Sequence, residues 1–349
     1  MNKFLKEILE QPKAIKNVIS FYTHAEGLEL LEKIRTIISE KRIGQIIFTG
    51  MGSSYFISHA ASGLFNSLKI HSIYINTSEL LHYNFFLLTE PTMLVCLSQS
   101  GESFEIKEIL KRLPLTVFSV GIVNDEKSTL AKKAGVALLC KGGKEDMTST
   151  KTYVVTSLVA FILGWYLSGD WNTPKIKMLN RLQTNFELFF HSDNWLKDIL
   201  VFFGDIGTIQ VIARGPAFST ASQSALMFRE ATHIAATSFL GGEFRHGPME
   251  MVTKDFQSIL FATEGKTLQQ SLRMAEDIVT FGGKVWLITN IQRDWNHRNI
   301  IPFFIDESDE FLFSIQSILP VQLFIDAYAK AKNFEAGSFL RGAKVTSIE

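Results

Sequence analysis

The chain has 349 residues, of which 46% are hydrophobic and 20% are charged, and its formal net charge is +0. A chain of this length can bury a large core and form more than one domain, and its balanced charge disfavours a nucleic-acid-binding protein, which usually carries a basic excess. Cys96 and Cys140 each end a hydrophobic run, which favours buried thiols over a disulfide framework or a zinc site.

The first half of the chain predicts a parallel α/β sheet. Residues 1–19 have the pattern of an amphipathic helix interrupted by Pro12, without the continuous apolar core of a secretory signal. Hydrophobic runs that resemble strands then alternate with helical patterns. These runs are Ile43–Gly50, Ile73–Asn76, Met93–Ser98, Val117–Val123 and Val136–Cys140. Short apolar strands separated by helices are typical of a parallel sheet that is buried on both faces.

The uncharged stretch Thr152–Gly169 approaches the minimum length of roughly 17 residues for a membrane-spanning helix. Hydroxyl side chains interrupt it, and a helix that is apolar all round is also found in the core of a large globular domain. We therefore predict a buried core helix and no membrane partner. Residues 170–200 have helical patterns and are expected to join the two halves of the chain.

The second half repeats the plan of the first. Its strand-like runs and its closing helical region are Gly207–Gly215, Phe256–Thr263, Lys284–Asn290 and Phe311–Phe334. The first of these runs leads into a helical pattern from Pro216 to Ala236. We predict two doubly wound, flavodoxin-like parallel-sheet domains in tandem. Residues 1–170 hold an N-terminal helix and the first domain, and residues 171–349 hold linker helices, the second domain and a C-terminal tail.

Two turns of the first domain follow predicted strands and are rich in glycine and serine. They are GMGSSY (Gly50–Tyr55) and SQSGES (Ser98–Ser103). The carboxyl ends of parallel strands are where open α/β sheets bind ligands, and the helix N-termini that follow offer N–H donors to an anion. Neither turn has the spacing of a Walker loop or of a dinucleotide fingerprint. The two turns therefore predict a phosphate site built from hydroxyls and backbone N–H groups.

Four segments together resemble the double-SIS (sugar isomerase) family. LSQSGES (Leu97–Ser103) resembles the phosphate loop of SIS domains, and GEFRHGPMEMV (Gly242–Val252) resembles the GE-x-x-HGP segment of double-SIS enzymes. KEILEQPKAIKN (Lys6–Asn17) and AKVTSIE (Ala343–Glu349) are similar to the two ends of the isomerase half of glucosamine-6-phosphate synthase. Because the similarity runs in order along nearly the whole chain, it is more specific than any single segment.

The resemblance implies roles for individual residues. It assigns Glu230 to proton transfer between sugar C1 and C2, His246 to ring opening, and Lys344 to the tail that closes over the open-chain sugar. It also implies that His246 reaches the site of a neighbouring subunit, so a homodimer is expected. The positions that match phosphate- and sugar-binding residues of the family are Ser54, Ser98, Gln99, Ser100, Ser103 and Ser149.

These residue types suit an aldose–ketose interconversion. A carboxylate can take a proton from one carbon and return it to the next, and a histidine can act as acid and base on the ring oxygen. A fixed phosphate holds the reacting carbons near the base, which supplies much of the rate gain. We expect no metal ion and no redox cofactor, because proton placement stabilises the intermediate.

The chain departs from the synthase on the helical face of Glu230. Met227 stands where the synthase has a lysine, and Gln223 stands where it has a glutamate. This neutral face disfavours ammonia-dependent synthesis and favours a deglycase, which splits a 6-phosphorylated sugar–amine adduct into a hexose phosphate and an amine. A glucosamine-6-phosphate deaminase or a plain isomerase is the competing interpretation. The residues at the start of the chain predict no glutaminase activity.

A non-catalytic sugar-phosphate sensor is an alternative from another class, since many regulators carry a SIS domain beside a DNA-binding helix-turn-helix. The N-terminal residues show no basic module of that kind, and both Glu230 and His246 are present. We therefore expect a cytoplasmic enzyme with a phosphorylated sugar as substrate and without a nucleic-acid partner.

Overall fold

The structure, a computed structural model, describes residues 1–190 and 194–337 of the chain. It divides into two compact units. The N-terminal unit is Glu10–Gln183, and the C-terminal unit combines Met1–Leu9, which contains helix α1 (Lys3–Leu9), with the described chain from Thr184 onward. The first residues of the chain therefore fold with its second half.

The N-terminal unit is built on a five-stranded parallel sheet with the strand order β2-β1-β3-β4-β5. Pro12 lies at the start of its first helix, where a missing N–H costs no hydrogen bond, so the predicted interruption of the N-terminal helix is confirmed. The elements are α2 (Gln11–Thr23), α3 (Ala25–Glu40), β1 (Gln45–Gly50), α4 (Ser53–Ser67), β2 (Ser72–Asn76), α5 (Thr77–His82), β3 (Thr92–Ser98), α6 (Phe104–Arg112), β4 (Phe118–Val123), α7 (Thr129–Lys133), β5 (Val136–Leu139), α8 (Lys151–Ser168) and α9 (Thr173–Phe189), which contains the boundary with the other unit.

The central strands of this sheet are buried along their whole length. Every residue of β3 and of β4 is buried. A parallel strand covered on both faces needs apolar side chains on both, which explains why these strands read as continuous hydrophobic runs rather than as alternating patterns. The edge strand β2 is only partly buried.

The C-terminal unit repeats the same topology in a second five-stranded parallel sheet. Its strand order, β7-β6-β8-β9-β10, corresponds strand for strand to that of the N-terminal unit, and the predicted tandem α/β fold is confirmed. After α1, its elements are α10 (Asn194–Phe203), β6 (Thr208–Ala213), α11 (Ala217–Ala231), β7 (Ala235–Leu240), α12 (Gly241–Arg245), β8 (Gln257–Ala262), α13 (Leu268–Thr280), β9 (Lys284–Thr289), β10 (Ile300–Phe304), α14 (Glu310–Gln316) and α15 (Ile318–Ala331).

Two helical segments in the described part of the chain are long and apolar enough to cross a bilayer by length and composition, namely α8 and the segment Glu310–Ala331. In both, 83% of the apolar window is buried inside the protein. Helices that are apolar all round and enclosed by other elements are typical of a protein core. The prediction of a buried core helix at Thr152–Gly169 is therefore confirmed.

Two edge strands of the C-terminal unit differ from the sequence-based expectation. The helix predicted to run from Pro216 to Ala236 ends at Ala231, and β7 begins four residues later. His233 has a φ of 55°, which stops the helix between these elements. The strand β10 contains Pro302 and was not predicted, because proline is tolerated only at a sheet edge and masks the strand pattern.

Candidate functional site

The strand order of the N-terminal unit places a ligand-binding edge beside β1 and β3. The chain moves outward from β1 to β2 and then returns to the other side of β1, so the order reverses between β1 and β3. The crevice outside the carboxyl ends of the strands at such a reversal is where open α/β sheets bind ligands. Since β1 ends at Gly50 and β3 ends at Ser98, both glycine- and serine-rich turns lie at this crevice.

The turn Ser98–Ser103, called the SQSGES turn below, is held by its own hydroxyls. The Ser98 Oγ accepts a hydrogen bond from the Gly101 N–H at 3.0 Å, and the Ser100 Oγ accepts one from the Glu102 N–H at 3.2 Å. A hydroxyl that accepts a hydrogen bond still carries its own O–H donor. The turn is therefore preformed and presents neutral donors rather than cationic ones.

Two helices begin at this edge without a side-chain cap. The Ser103 side chain makes no capping hydrogen bond to α6, and Gly52 has no side chain with which to cap α4. The first N–H groups of a helix have no partner within the helix, and they carry the positive end of its dipole. Together with the hydroxyls of the turn, these N-termini have the chemistry of a phosphate site.

Glu102, the acidic residue of the SQSGES turn, binds the start of α7. Its Oε1 accepts the Thr129 N–H at 2.6 Å, and its Oε2 accepts the Thr129 hydroxyl at 3.1 Å. Lys107 lies 3.8 Å from the same carboxylate. The negative charge of the motif is therefore neutralised by the N-terminus of α7 and by a lysine, which lowers its repulsion of an anion bound at the turn.

Gly101 allows the turn to pack against the start of α7. Its φ is +65°, and a Cβ at this position would lie 2.3 Å from the Ser128 Oγ and 2.7 Å from the Ser128 Cβ. The Gly101 carbonyl accepts a hydrogen bond from the Leu130 N–H at 3.1 Å. Both the backbone conformation and the available space therefore require glycine at this position.

Ser54 lies half-buried in the first turn of α4. Its N–H donates to the Met51 carbonyl at 3.0 Å, and its own carbonyl accepts the Ser58 hydroxyl at 2.9 Å. A Cβ on Gly50 would lie 2.6 Å from the Ser54 carbonyl carbon, so glycine lets α4 begin close to the end of β1. Ser54 is thus held at the same sheet edge as the SQSGES turn.

Ser149 precedes α8, at the end of a loop that a buried carboxylate organises. The Glu145 Oε1 accepts the N–H groups of Thr150 and Thr152 at 3.0 and 3.1 Å, and the Thr152 hydroxyl donates to Oε2. The hydroxyls of Ser149 and Thr152 are 2.9 Å apart. No pattern in the sequence marks Glu145, because it reaches α8 from a loop without a capping motif.

Lys151, which is buried, forms a partly buried ion pair with Glu10 at the start of the N-terminal unit. Its side chain is 3% exposed, so it serves this unit through the ion pair rather than as a free cation. This pair was not predicted from the sequence either. The separation of the two residues along the chain hides it from any local pattern.

Cys96, Cys140 and His59 are three further titratable groups of the N-terminal unit, and all are largely buried. Burial raises the pKa of the Cys96 and Cys140 thiols to about 12, which fits their predicted burial and leaves them unreactive at neutral pH. Burial lowers the pKa of His59 to about 4, and its ring packs edge-on against Tyr74 at 5.1 Å. His59 is therefore a neutral packing residue.

Glu230 belongs to the C-terminal unit, in the last turn of α11, and it is half-buried. Met227 and Gln223, which precede it on the same helical face, are both 0% exposed. Arg229 donates to the Ala236 carbonyl at 2.7 Å and fixes the end of α11 against β7. The carboxylate therefore projects from a helix whose orientation is set by its buried face.

His246 follows the short helix α12 and is exposed. Its N–H donates to the Glu243 carbonyl at 2.9 Å, and Gly247 follows with a φ of +127°. Arg245 pairs with Asp277 at 2.5 Å and anchors the segment to α13. The imidazole is thus carried on an exposed turn that is fixed on its other side.

The structure brings the predicted phosphate-binding residues of the N-terminal unit to one sheet edge, whereas Glu230 and His246 are carried by the C-terminal unit. Lys344 lies outside the described residues. Within residues 1–190 and 194–337, no three His, Cys, Asp or Glu side chains are grouped so that they could hold a metal ion.

Two five-stranded parallel sheets of the same strand order define a tandem, doubly wound α/β protein. Residues 37–164 and 203–325 match the SIS domain family. The chain therefore belongs to the SIS domain family and carries two copies of the domain, as the sequence motifs indicated.

The chain is similar to aminotransferases and a deaminase whose names refer to fructose 6-phosphate or glucosamine 6-phosphate. A glutamine–fructose-6-phosphate aminotransferase [isomerizing] of Wigglesworthia glossinidia brevipalpis is 26% identical over 99% of this chain, which spans 58% of that relative's length. The C-terminal domain of glucosamine-fructose-6-phosphate aminotransferase from Francisella tularensis superposes with a TM-score of 0.85 at 23% identity, covering 97% of this chain and 98% of that one. Glucosamine-6-phosphate deaminase from Thermotoga maritima superposes with a TM-score of 0.75 at 19% identity, covering 99% of both chains.

Proposed function

We propose that this chain is an enzyme that acts on an amino-sugar or ketosamine 6-phosphate and cleaves its C–N bond to give a hexose phosphate and an amine. The observation that carries the proposal is the preformed SQSGES turn. It combines neutral hydroxyl donors and an uncapped helix N-terminus with a carboxylate that is bound to α7. The hydroxyls and the helix N–H groups are donors that a phosphate dianion can accept, and the SIS domains favour a phosphorylated sugar as the ligand.

In the proposed reaction the sugar phosphate is held by the SQSGES turn, with Ser54 and Ser149 as further contacts. His246 transfers the protons that open the ring, and Glu230 removes a proton from C1 and returns one to C2. In a ketosamine 6-phosphate, whose amine is on C1, the nitrogen also loses its proton and the C2 carbonyl oxygen gains one, so the adduct becomes an imine at C1. One water adds to the imine and the amine leaves, so the products are an aldose 6-phosphate and a free amine. Lys344 is assigned to the tail that covers the open-chain sugar, and glutamine hydrolysis is not part of the proposal.

The proposed phosphate site is tested by calorimetric titration with fructose 6-phosphate and with fructose. We expect binding of the phosphorylated sugar only. Ser98→Ala and Ser100→Ala should each weaken it about tenfold, because each removes one hydroxyl donor worth roughly 1 to 1.5 kcal/mol. Ser67→Ala is the matched control, since this serine donates to Leu64 at the far end of α4. Equal affinity for fructose and fructose 6-phosphate would overturn the proposed site.

The reaction is tested by its products. Incubation with a fructosamine 6-phosphate should release the free amine together with a hexose 6-phosphate. Glu230→Gln should abolish turnover and leave fructose 6-phosphate binding within about threefold, since the variant changes proton transfer rather than phosphate binding. Glu264→Gln, an exposed residue of the same unit, is the control. Unchanged turnover in Glu230→Gln would remove this residue from the mechanism.

A glucosamine-6-phosphate deaminase is the second candidate function. The neutral helical face of Glu230 is the feature for which the deglycase is preferred. Met227 and Gln223 are both buried. Release of ammonia from glucosamine 6-phosphate, without release of amine from a fructosamine 6-phosphate, would favour the deaminase. Interconversion of hexose phosphates without either release would favour a plain isomerase. Ligand binding without any turnover would favour the sensor.

We further propose a cytoplasmic homodimer in which His246 acts in the site of the partner subunit. The exposed position of this histidine on a fixed turn supports the proposal. Mixing Glu230→Gln with His246→Asn chains and letting subunits exchange should restore activity to about a quarter of the wild-type value, because half of the dimers are mixed and each has one intact site. If no activity returns, His246 acts within its own chain or the protein is not a dimer.

A further inference from the structure

Asn124 follows β4 directly and connects the loops on both sides of that strand. Its backbone N–H donates to the Gln99 carbonyl of the SQSGES turn at 3.2 Å. Its side chain accepts the Gly142 N–H and donates to the Gly143 carbonyl, both at 2.8 Å. A Cβ on Gly142 would lie 3.0 Å from the Asn124 Oδ1, so the loop fits closely around the amide. One residue therefore joins the SQSGES turn to the loop that follows β5.

That loop leads through hydrogen bonds to Ser149. Glu145 lies two residues beyond Gly143, and its buried carboxylate binds the N–H groups of Thr150 and Thr152. The Thr152 hydroxyl in turn lies 2.9 Å from the Ser149 hydroxyl. A contiguous set of contacts thus runs from the SQSGES turn through Asn124 to Ser149, within the N-terminal unit.

We propose that Asn124 is a positioning residue of the sugar-phosphate site. Its amide holds the loop of residues 140–150 in register with the SQSGES turn, so that Ser149 is fixed relative to the phosphate. The inference rests on the proposed function, in which the turn takes the phosphate and Ser149 contacts the sugar. Asn124 acts through the loop and does not itself touch the substrate.

The C-terminal unit contains a structurally equivalent asparagine. Asn290 follows β9, which corresponds to β4 in the strand order. The strand residue before each asparagine pairs with the last residue of the neighbouring strand, as Val123 with Ser98 and Thr289 with Ala262. The Asn290 amide accepts the Glu264 N–H at 2.7 Å and donates to the Glu307 carbonyl at 2.8 Å.

Asn290 therefore provides a matched control within the same molecule. Both side chains are half-buried and each makes two amide hydrogen bonds to neighbouring loops. Only Asn124 is linked to the SQSGES turn. If asparagine at this point merely braces the fold, replacement of either residue should have the same consequences. If Asn124 positions the site, the two variants should differ in ligand binding.

The test uses Asn124→Ala and Asn290→Ala in the full chain, with calorimetric titration of fructose 6-phosphate and of inorganic phosphate. Asn124→Ala keeps the backbone N–H that binds Gln99, so we expect phosphate affinity to change less than about threefold while fructose 6-phosphate binds about tenfold more weakly. In Asn290→Ala both affinities should stay within about twofold. Equal effects of the two variants on fructose 6-phosphate, or equal losses for both ligands in Asn124→Ala, would overturn the proposal.

Hydrogen exchange without ligand provides a readout that does not depend on the proposed function. Asn124→Ala should raise the exchange rates of amides 142–152 about tenfold or more and leave those of β3 unchanged, since only the loop loses its bonds. Asn290→Ala should instead raise the exchange rates of the Glu264 amide and of the amides that follow β10. Unchanged exchange over 142–152 would refute the positioning role even if ligand binding were affected. A wild-type chain that binds no sugar phosphate would refute the proposed function, while the exchange result would still decide the coupling of the loop to Asn124.

Discussion

The two units share one topology, yet their corresponding sheet edges carry opposite chemistry. In the N-terminal unit, the edge at the strand reversal holds the hydroxyls of the SQSGES turn, and the carboxylate of Glu102 is bound to α7. In the C-terminal unit, the reversal lies between β6 and β8. There the carboxylate of Glu310 packs closely against Gly215 and Gly265. A Cβ atom added to these glycines would lie 3.1 and 3.4 Å from the Glu310 Oε1.

Under the proposed function, this difference would make the N-terminal edge the one that binds the sugar phosphate. Both edges have the strand ends and helix N-termini that favour anions. At the C-terminal edge, a carboxylate already occupies this space and would repel a phosphate. At the N-terminal edge, the carboxylate of the motif is hydrogen-bonded to the N–H of Thr129 and lies 3.8 Å from the Lys107 ammonium, which lowers its repulsion of an anion. Under the proposed function, the side chains that surround the edge, rather than the topology, would therefore decide which unit binds the sugar phosphate.

The largest expected effect comes from Gly101→Ala in the SQSGES turn. The variant combines left-handed strain of about 1 to 2 kcal/mol with overpacking against Ser128 of about 1 to 3 kcal/mol, since the added Cβ would lie 2.3 Å from the Ser128 Oγ. We expect the free energy of unfolding to fall by roughly 2 to 5 kcal/mol and fructose 6-phosphate binding to be lost. Urea unfolding and calorimetric titration measure the two effects.

Gly169→Ala separates backbone strain from overpacking. Gly169 also has a positive φ, +85°, but no atom lies within 4 Å of a Cβ placed there. This variant should lose only about 1 to 2 kcal/mol and should bind fructose 6-phosphate as the wild type does. If Gly101→Ala retains full affinity, the conformation of the turn does not determine phosphate binding, and the contrast between the two edges loses its basis.

The next largest effect is an acid sensitivity of the N-terminal unit caused by His59. Burial lowers the pKa of this histidine from 6.5 to about 4, so below pH 6.5 the unfolded chain binds a proton that the folded unit does not. Stability should therefore fall between pH 6.5 and about pH 4, by about 3 kcal/mol in total. Hydrogen exchange of the β3 amides across this range measures it for the unit alone.

His59→Gln should flatten this pH dependence, whereas substitution of the exposed His71 in the same unit should leave it unchanged. A pH profile that is the same in wild type and His59→Gln would show that the imidazole is solvated or protonated in the folded unit. The variant also removes a packed ring, so the comparison is between slopes against pH rather than between stabilities at one pH.

The third effect comes from Glu102→Gln, which keeps the shape of the side chain but removes the charge. One of the two Thr129 donors then meets the NH2 group of the glutamine instead of a carboxylate oxygen. The start of α7 also loses a charged partner. We expect a loss of roughly 1 to 2 kcal/mol in urea unfolding. Glu108→Gln, which breaks an exposed pair with Lys111, is the control and should be nearly neutral.

The consequence for phosphate affinity distinguishes two views of Glu102. If its carboxylate is effectively neutralised at α7, the variant should bind fructose 6-phosphate no more tightly than the wild type does. Tighter binding in a folded variant would mean that the carboxylate still opposes the phosphate. In that case the two edges would differ less than the contacts of Glu102 indicate.

The two sheets and the SQSGES turn could be predicted from the sequence because strong local patterns determine them. The strands β1, β3 and β4 are continuous hydrophobic runs, and the hydroxyls of the SQSGES turn follow β3 directly. The residues that tell the two edges apart act over long separations. Glu102 binds Thr129, and no sequence spacing rule connects these two residues. The direction of the Glu102 side chain depends on the position of the loop that follows β4.

The side chains that support the site were missed for the same reason. Asn124, Glu145 and Glu310 are single polar residues in loops or at a helix start, where they match ordinary turn and capping patterns. Their partners are backbone groups of other loops, which are specified only once the sheet has formed. Asn124 and Asn290 each follow a hydrophobic strand, in the segments GIVN and LITN. This repeated strand ending is the one sequence signal that could have revealed the two asparagines.

The smallest effect, a few tenths of a kcal/mol after solvent screening, is expected for Glu310→Gln and has the opposite pH dependence to that of His59. Burial raises the pKa of Glu310, Lys266 lowers it and Asp309 raises it further, so the net direction is upward. The folded unit therefore binds this proton more tightly than the unfolded chain does, and ionisation at neutral pH costs stability.

Glu310→Gln should be slightly more stable than the wild type at pH 7. The gain should disappear as the pH falls below the unfolded-state value of about 4.5, where both side chains are neutral. Glu264→Gln is the control at the same edge, and thermal unfolding at several pH values measures the difference. A variant that is less stable at pH 7 would mean that the helix N-termini hold Glu310 as a favourable internal anion. The C-terminal edge would then be an anion site already filled by the protein's own carboxylate, and the two units would differ in what occupies the edge rather than in their capacity to hold an anion.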